Sequence, residues 1–305
     1  SKVVAVVPKS KVKAAISSLY KAGAMNIIEH KKSENADIGA PLADSERVSA
    51  LLLKLRSIAG SLFLNLANQS VPESSAGKGR TPLENPPSLP YLEKEYRLLE
   101  NKVQELLQKK ERLANNLANE KETLFLLECA SALRLSNSFF TPPESLSLIV
   151  GTAKKGVELK PILKKISGDF LLRPAEFGPR LAVALVARKA LEKDFYSALS
   201  QVEFQPLNIL GLSVKGNVQN ALKSEREMLQ QLKDGLDGVE KSLSVIAKKA
   251  HPALVLHHFH LSQEIEKQEA PLSFAATDYA YVVSGYVPTE QYDAICRVLE
   301  KATQG

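Results

Sequence analysis

Two long leucine heptads, far apart in the chain, constrain the fold more than any other feature. The first runs Leu92, Tyr96, Leu99, Val103, Leu106, Lys110, Leu113, Leu117, Glu120, Leu124 and Leu127, with nine of eleven positions apolar. The second runs Val218, Leu222, Glu225, Leu229, Leu232, Leu236, Val239, Leu243, Ile246 and Ala250, with nine of ten apolar. Alternating steps of four and three place each set on one stripe of a helix, which must be buried against another helix. At 1.5 Å per residue each arm is roughly 50 Å long. The spacing therefore predicts one helix going out, a small module, and one helix coming back. Such a chain holds two things apart.

The modules flanking these arms are read from their local patterns. Lys2–Val7 predicts a buried strand, 9–22 a helix stopped by Gly23, and Met25–His30 a second strand. A helix over 43–67 follows, with Asp44 or Ser45 placed to cap it. Residues 68–90 carry five prolines, two glycines and four serines, which predicts a disordered loop. Its Gly77-Lys78-Gly79-Arg80-Thr81 lacks the spacing of a phosphate loop. Between the arms, strands at 146–152, 170–173, 181–187 and 203–209 alternate with helices at 157–166 and 189–199 as β-α-β-β-α-β. That order is the ferredoxin-like split motif. At the chain end, Tyr279–Tyr286 alternates as a strand and Thr289 opens a helix to Thr303. Lacking local partners, this pair should return to the N-terminal β-α-β.

The expected class is thus α+β: a dumbbell of two small α/β lobes joined by a long antiparallel helical coiled coil. The proximal lobe would comprise 1–40 and 276–305, the arms 43–136 and 213–270, and the distal ferredoxin-like lobe 145–212. Gly235 and Gly238 each cost about 1 kcal/mol relative to Ala inside a helix. Pro252 removes one ladder bond and should kink the returning arm. These three are the candidate hinge positions.

Charge and side-chain chemistry point away from catalysis. The net charge is +6, and residues 1–32 alone hold seven lysines against one acid, so the remaining 273 residues balance. A basic opening lobe suits an acidic partner or serves solubility; interleaved aromatics of a nucleic-acid reader are missing. Lys9, Lys11 and Lys13, with Lys154, Lys155 and Lys160 in the middle module, are candidate partner-binding residues from charge and position. His251, His257, His258 and His260 lack the His-Glu-x-x-His pattern of a zinc site. Cys129 and Cys296 are too few for a disulfide scaffold and suit a reducing compartment. No catalytic residue, metal ligand, cofactor or small-molecule substrate is assigned.

Three segments carry a family resemblance: KVVAVVPKSKVKAAISSLYKAGAMNIIE at the start, SLSLIVGTAKKGVELKPIL in the middle, and YAYVVSGYVPTEQYDAICRVL at the end. Their order around two heptad arms resembles the N-terminal cytoplasmic domain of subunit I of V/A-type ATPases, the counterpart of V-ATPase subunit a. The resemblance implies a non-catalytic stator on the cytoplasmic face of the membrane. Its lobes would anchor peripheral stalks made of E–G heterodimers and resist torque. In that family a membrane domain of the same subunit follows, and the proton-path residues belong to it. A free-standing coiled-coil adaptor presenting a ferredoxin-like module is the alternative reading.

Overall fold

The computed structural model describes residues 1–30, 32, 37–66, 87–135, 143–209, 212 and 217–303. In chain order the elements are β1 (Lys2–Pro8), α1 (Val12–Ala22), β2 (Asn26–Ile27), β3 (Asp37–Ile38), α2 (Ser45–Ser61) and α3 (Leu89–Ala132). Next come β4 (Leu146–Lys154), α4 (Leu159–Lys164), β5 (Phe170–Phe177), β6 (Arg180–Arg188), α5 (Glu192–Ser200) and β7 (Gln205–Pro206). The chain closes with α6 (Val218–Glu269), β8 (Ala275–Ala276), β9 (Ala280–Tyr286) and α7 (Tyr292–Thr303). Most of the stretch read as a loop at 68–90, including Gly77–Thr81, lies outside the described residues. The chain divides into two compact units, Ser1–Leu106 with Ser242–Gly305, and Leu107–Lys241.

The first unit is built on a sheet ordered β1-β9-β8-β3, with β2 also on β9. The two chain ends meet here: β1 pairs antiparallel with β9 over the whole strand, from Lys2 opposite Tyr286 to Pro8 opposite Ala280. Val3, Val7 and Val283 point to one face and pack with Ile16 and Leu19 of α1 and Ile295 and Leu299 of α7. Helix α1 stops where expected: Gly23 takes φ +61°, and its N–H bonds Leu19 O at 3.0 Å. Asp44 stands at the start of α2 without capping it, since its backbone is already helical (φ −88°, ψ 0°); its carboxylate lies 3.4 Å from Lys13. Strand β2 is shorter than the sequence suggests, although Ile28 N–H still reaches Ser284 O at 2.8 Å.

Three helices complete this unit. Ion pairs Arg47–Glu93 and Lys54–Glu100 step by seven residues on both α2 and α3, so these helices run parallel. The apolar stripe of α2 (Val48, Leu51, Leu52, Leu55, Ile58) is buried, as are Leu92, Tyr96 and Val103 of α3 and Leu254, Val255 and Leu261 of α6.

In the second unit the sheet order is β5-β6-β4-β7, all antiparallel. Alternate residues of β4 and β6 face opposite ways. Ile149, Ala153, Val183 and Leu185 pack against Leu159 and Leu163 of α4 and Phe195 and Leu199 of α5. Leu148, Val150, Ala182 and Ala184 pack against Leu127 and Ala130 of α3, Leu133 just after it, and Val218 and Leu222 of α6. With both faces covered, β4 reads as the near-continuous apolar run it is. Strand β7 is shorter than the expected 203–209, comprising Gln205–Pro206; Leu207 N–H adds one last bond to Val150 O at 2.8 Å.

Within this unit α3 and α6 lie antiparallel along the heptad stripes. Lys110 bonds Glu240 at 2.8 Å, and Arg226 bonds Glu128 at 2.9 Å. From Leu107 to Lys121 the only residues of α3 that are not fully exposed are Leu107, Lys110, Leu113, Leu117 and Glu120. This stripe is half-buried, as expected where one helix covers another without a third. Helix α6 continues through Pro252 as a single element.

Candidate functional site

The candidate lysines fall in two groups, one in each unit. Lys9 and Lys11 form the 3-10 turn between β1 and α1, and Lys13 lies in the first turn of α1. Lys9 N–H donates to Tyr279 O at 3.1 Å, and its ammonium lies 5.9 Å from the Tyr281 ring centroid. Lys13 meets Asp44, as above. In the second unit Lys154 ends β4 and Lys155 follows it, each beside an acid at 3.8 Å, Glu203 and Glu176 respectively. All four of these side chains are largely exposed, so each pair is worth roughly 0–1 kcal/mol. Lys160 lies on α4 at the rim of an open groove lined by Val157, Phe170, Leu171 and Pro174. Lys9, Lys13, Lys154, Lys155 and Lys160 are exposed, and Lys11 is half-buried.

The hinge candidates all lie in α6. A Cβ at Gly235 would make ordinary contact with Leu113 at 3.6 Å, and one at Gly238 would meet nothing within 4 Å. Neither glycine is demanded by close packing.

The two glutamates of the stripes, Glu120 and Glu225, meet each other. Burial, and then the adjacent Glu120 carboxyl, push Glu225 up to about 7. Both residues are visible in the sequence as breaks in the heptads; that they face one another depends on register.

The first unit holds a buried polar group that the sequence did not mark. Tyr96 is buried beside His257, with ring centroids 5.9 Å apart, and neither Tyr96 Oη nor His257 Nδ1 has a hydrogen-bond partner. Burial, with a smaller contribution from His260, pushes His257 below the ordinary histidine value. The Arg56 guanidinium donates to His258 Nε2 at 3.3 Å. Among the described residues no three His, Cys, Asp or Glu side chains are grouped to hold a metal ion. Burial raises the Cys129 thiol to about 11, far from a reactive thiolate.

Fold and surfaces together define a class: a mixed helix-and-sheet protein with long helices, two antiparallel sheets and outward-facing lysines. No helix among the described residues is long and apolar enough to cross a membrane. Comparison with known proteins makes the class particular. The chain is similar to A-type ATP synthase subunit I of Halobacterium salinarum, 22% identical over 268 residues, covering 87% of this chain and 35% of that protein. It is also similar to A-type ATP synthase subunit I of Archaeoglobus fulgidus, 22% identical over 283 residues, covering 93% of this chain and 40% of that protein. The chain thus spans little more than a third of the length of these relatives. Its fold matches the crystal structure of the cytoplasmic N-terminal domain of subunit I, homolog of subunit a, of V-ATPase. That match has a TM-score of 0.57 and 18% identity, covering 99% of this chain and 96% of that one. No family model matches. The chain is accordingly similar to A-type ATP synthase subunit I in sequence, and to the cytoplasmic N-terminal domain of V-ATPase subunit I in fold.

Proposed function

We propose that this chain is a non-catalytic stator part of a rotary, proton-translocating V/A-type ATPase, on the cytoplasmic face of the membrane. It anchors peripheral stalks of E–G heterodimers to the membrane sector and resists torque. The observation that carries the reading is the match to subunit I along almost the whole chain, in sequence and in fold. In this reading α3 and α6 are the arms of an antiparallel coiled coil in a dumbbell. The proximal lobe is 1–40 with 276–305, the arms are 43–136 and 213–270, and 145–212 is a ferredoxin-like distal lobe; the sheet order β5-β6-β4-β7 supports that last description. Lys9, Lys11 and Lys13, and separately Lys154, Lys155 and Lys160, bind acidic faces of the stalks, while Gly235, Gly238 and Pro252 let the arm bend. The membrane domain of the same subunit is the other partner. Nucleic acid, small-molecule substrate and cofactor have no part in it.

The test is direct binding of a purified E–G heterodimer by sedimentation or calorimetry. Complex formation at tens of micromolar is expected, weakened by Lys→Glu changes in either lysine group and by added salt. No complex at that concentration removes the proposal.

A further inference from the structure

Strand β1 lies at an edge of its sheet, and the hydrogen bonds show which of its groups are spoken for. Ser1 and Val287 exchange both backbone bonds, at 2.7 and 2.9 Å, and Lys9 N–H reaches Tyr279 O at 3.1 Å. In an antiparallel ladder such pairs alternate, so Val3, Ala5 and Val7 bond β9. The N–H and C=O groups of Lys2, Val4 and Val6 point the other way, where no strand among the described residues pairs with them.

That edge is unguarded. Proteins protect long edge strands with prolines, charges or bulges. The comparable edge strand β5 carries Arg173, Pro174 and Glu176, and β3 and β7 are two residues each. Strand β1 carries nothing of the kind between Lys2 and Pro8. Its outward side chains Val4 and Val6 are 58% and 67% exposed. Val6 continues a same-face row through Val282 and Ala275 to Ile38, of which Ile38 is also exposed.

We propose that the β1 edge receives an extended segment of a partner protein as an added strand, apolar at its centre and acidic at its ends. Main-chain bonds to Lys2, Val4 and Val6 give pairing, and the valine row gives the apolar contact. Charge selects the occupant. A second copy paired about Ala5 would set Val4 against Val6 and Lys2 against Pro8, bringing Lys2 of each copy beside Lys9 of the other. Like charges opposed across strands destabilise the pair; acidic ends on a partner strand complement both lysines. This deepens the stator reading, on which only the naming of the partner as a stalk protein rests.

The probe is the peptide acetyl-Glu-Thr-Val-Thr-Val-Thr-Glu-amide, whose acids and valines share one face as Lys2, Val4 and Val6 do; it is titrated into the whole chain while backbone hydrogen exchange is followed by NMR. Saturation should slow exchange at Val4 and Val6 about tenfold or more, leaving the already bonded Val3, Ala5 and Val7 unchanged. Val4→Pro removes an N–H that β9 does not use, so it should abolish binding while the thermal transition is kept. Val4→Lys serves as a second variant with an intact backbone and should weaken binding. A Lys-ended peptide should bind the wild type more weakly and the Lys2→Glu/Lys9→Glu variant more tightly. Unchanged exchange at Val4 and Val6, equal binding of both peptides, or protection of these amides by self-association without peptide would each overturn the inference. If E–G binding occurs but ignores Val4→Pro, the stalk reading stands and this one falls. If E–G does not bind at all, the stalk reading falls and the peptide arms still judge the edge.

Discussion

The two sheets are built from similar short strands, yet they treat their second face differently. In the second unit helices cover both faces, so Leu185 and Val183 on one side and Ala182 and Ala184 on the other are all buried. In the first unit α1 and α7 cover one face, and Val4 and Val6 on the other stand in solvent. The difference teaches that an apolar strand residue is not by itself a core residue. A closed sheet spends its valines on stability, whereas an open one leaves them for a partner.

The largest effects should separate these two cases. Leu185→Ala, in the closed sheet, should cost about 2–5 kcal/mol in denaturant unfolding, through lost burial and the cavity left behind. Val6→Ala, in the open sheet, should stay within about 0.5 kcal/mol, as exposed substitutions do. Equal costs would mean that the open face is covered in solution.

The central strands share one constraint, and substituting it should hurt both units. A Cβ on Gly151 of β4 would overlap the Phe204 ring and Gln205 O; one on Gly285 of β9 would overlap Asn26 O and Met25. Gly151→Ala and Gly285→Ala should each destabilise by about 1–3 kcal/mol, because backbone and packed side chains must move. Either variant melting with the wild type would show that its short neighbouring strand gives way freely.

Protons should distinguish the units with opposite sign. Glu225 in the second unit has its folded value raised from 4.5 to about 7. Its contribution is fully present below pH 4.5 and is lost as pH rises through about 7. His257 in the first unit is lowered from 6.5 by burial. Its contribution is present above pH 6.5 and is lost as pH falls through the folded value. Protection against hydrogen exchange, taken relative to the intrinsic rate at each pH, should therefore fall around Glu225 on going to pH 8 and around Tyr96 on going to pH 5. Glu225→Gln should abolish the first trend alone.

The smallest expected effect is a gain. Gly235→Ala and Gly238→Ala should each stabilise α6 by up to about 1 kcal/mol, since helix propensity improves and there is room for the methyl group. A loss would show that α6 needs a conformation there which alanine cannot take. If the glycines serve bending, the doubly substituted chain should also bind two stalks less well than the wild type.

Much of this was legible beforehand where the signal is local. Heptad spacing located α3 and α6, Gly23 ended α1, and β-α-β-β-α-β followed from strand and turn patterns over 146–206. Local signals misled where a neighbour intervened. Asp44 looks like a cap, but the chain before α2 already holds it in a helical conformation, with its carboxylate toward Lys13. Thr289 looks like a helix start, but a 3-10 turn over Thr289–Gln291 precedes α7 at Tyr292. Of the candidate surface, the lysines could be found from charge alone. The open β1 edge could not, because Val4 and Val6 read like any buried strand valine.

Periodicity, turn residues and charge runs act within a few residues, so the sequence alone determined the longer elements, their order and the polar breaks in the stripes, but not the two-residue strands β3 and β8. Tertiary structure decided that β1 finds β9 nearly the whole chain away, that α2 runs parallel on α3, and that Glu120 meets Glu225. It also decided that one sheet has two covered faces and the other only one. Each of these is a choice among surfaces of similar chemistry, settled by the geometry that buries the most apolar area together.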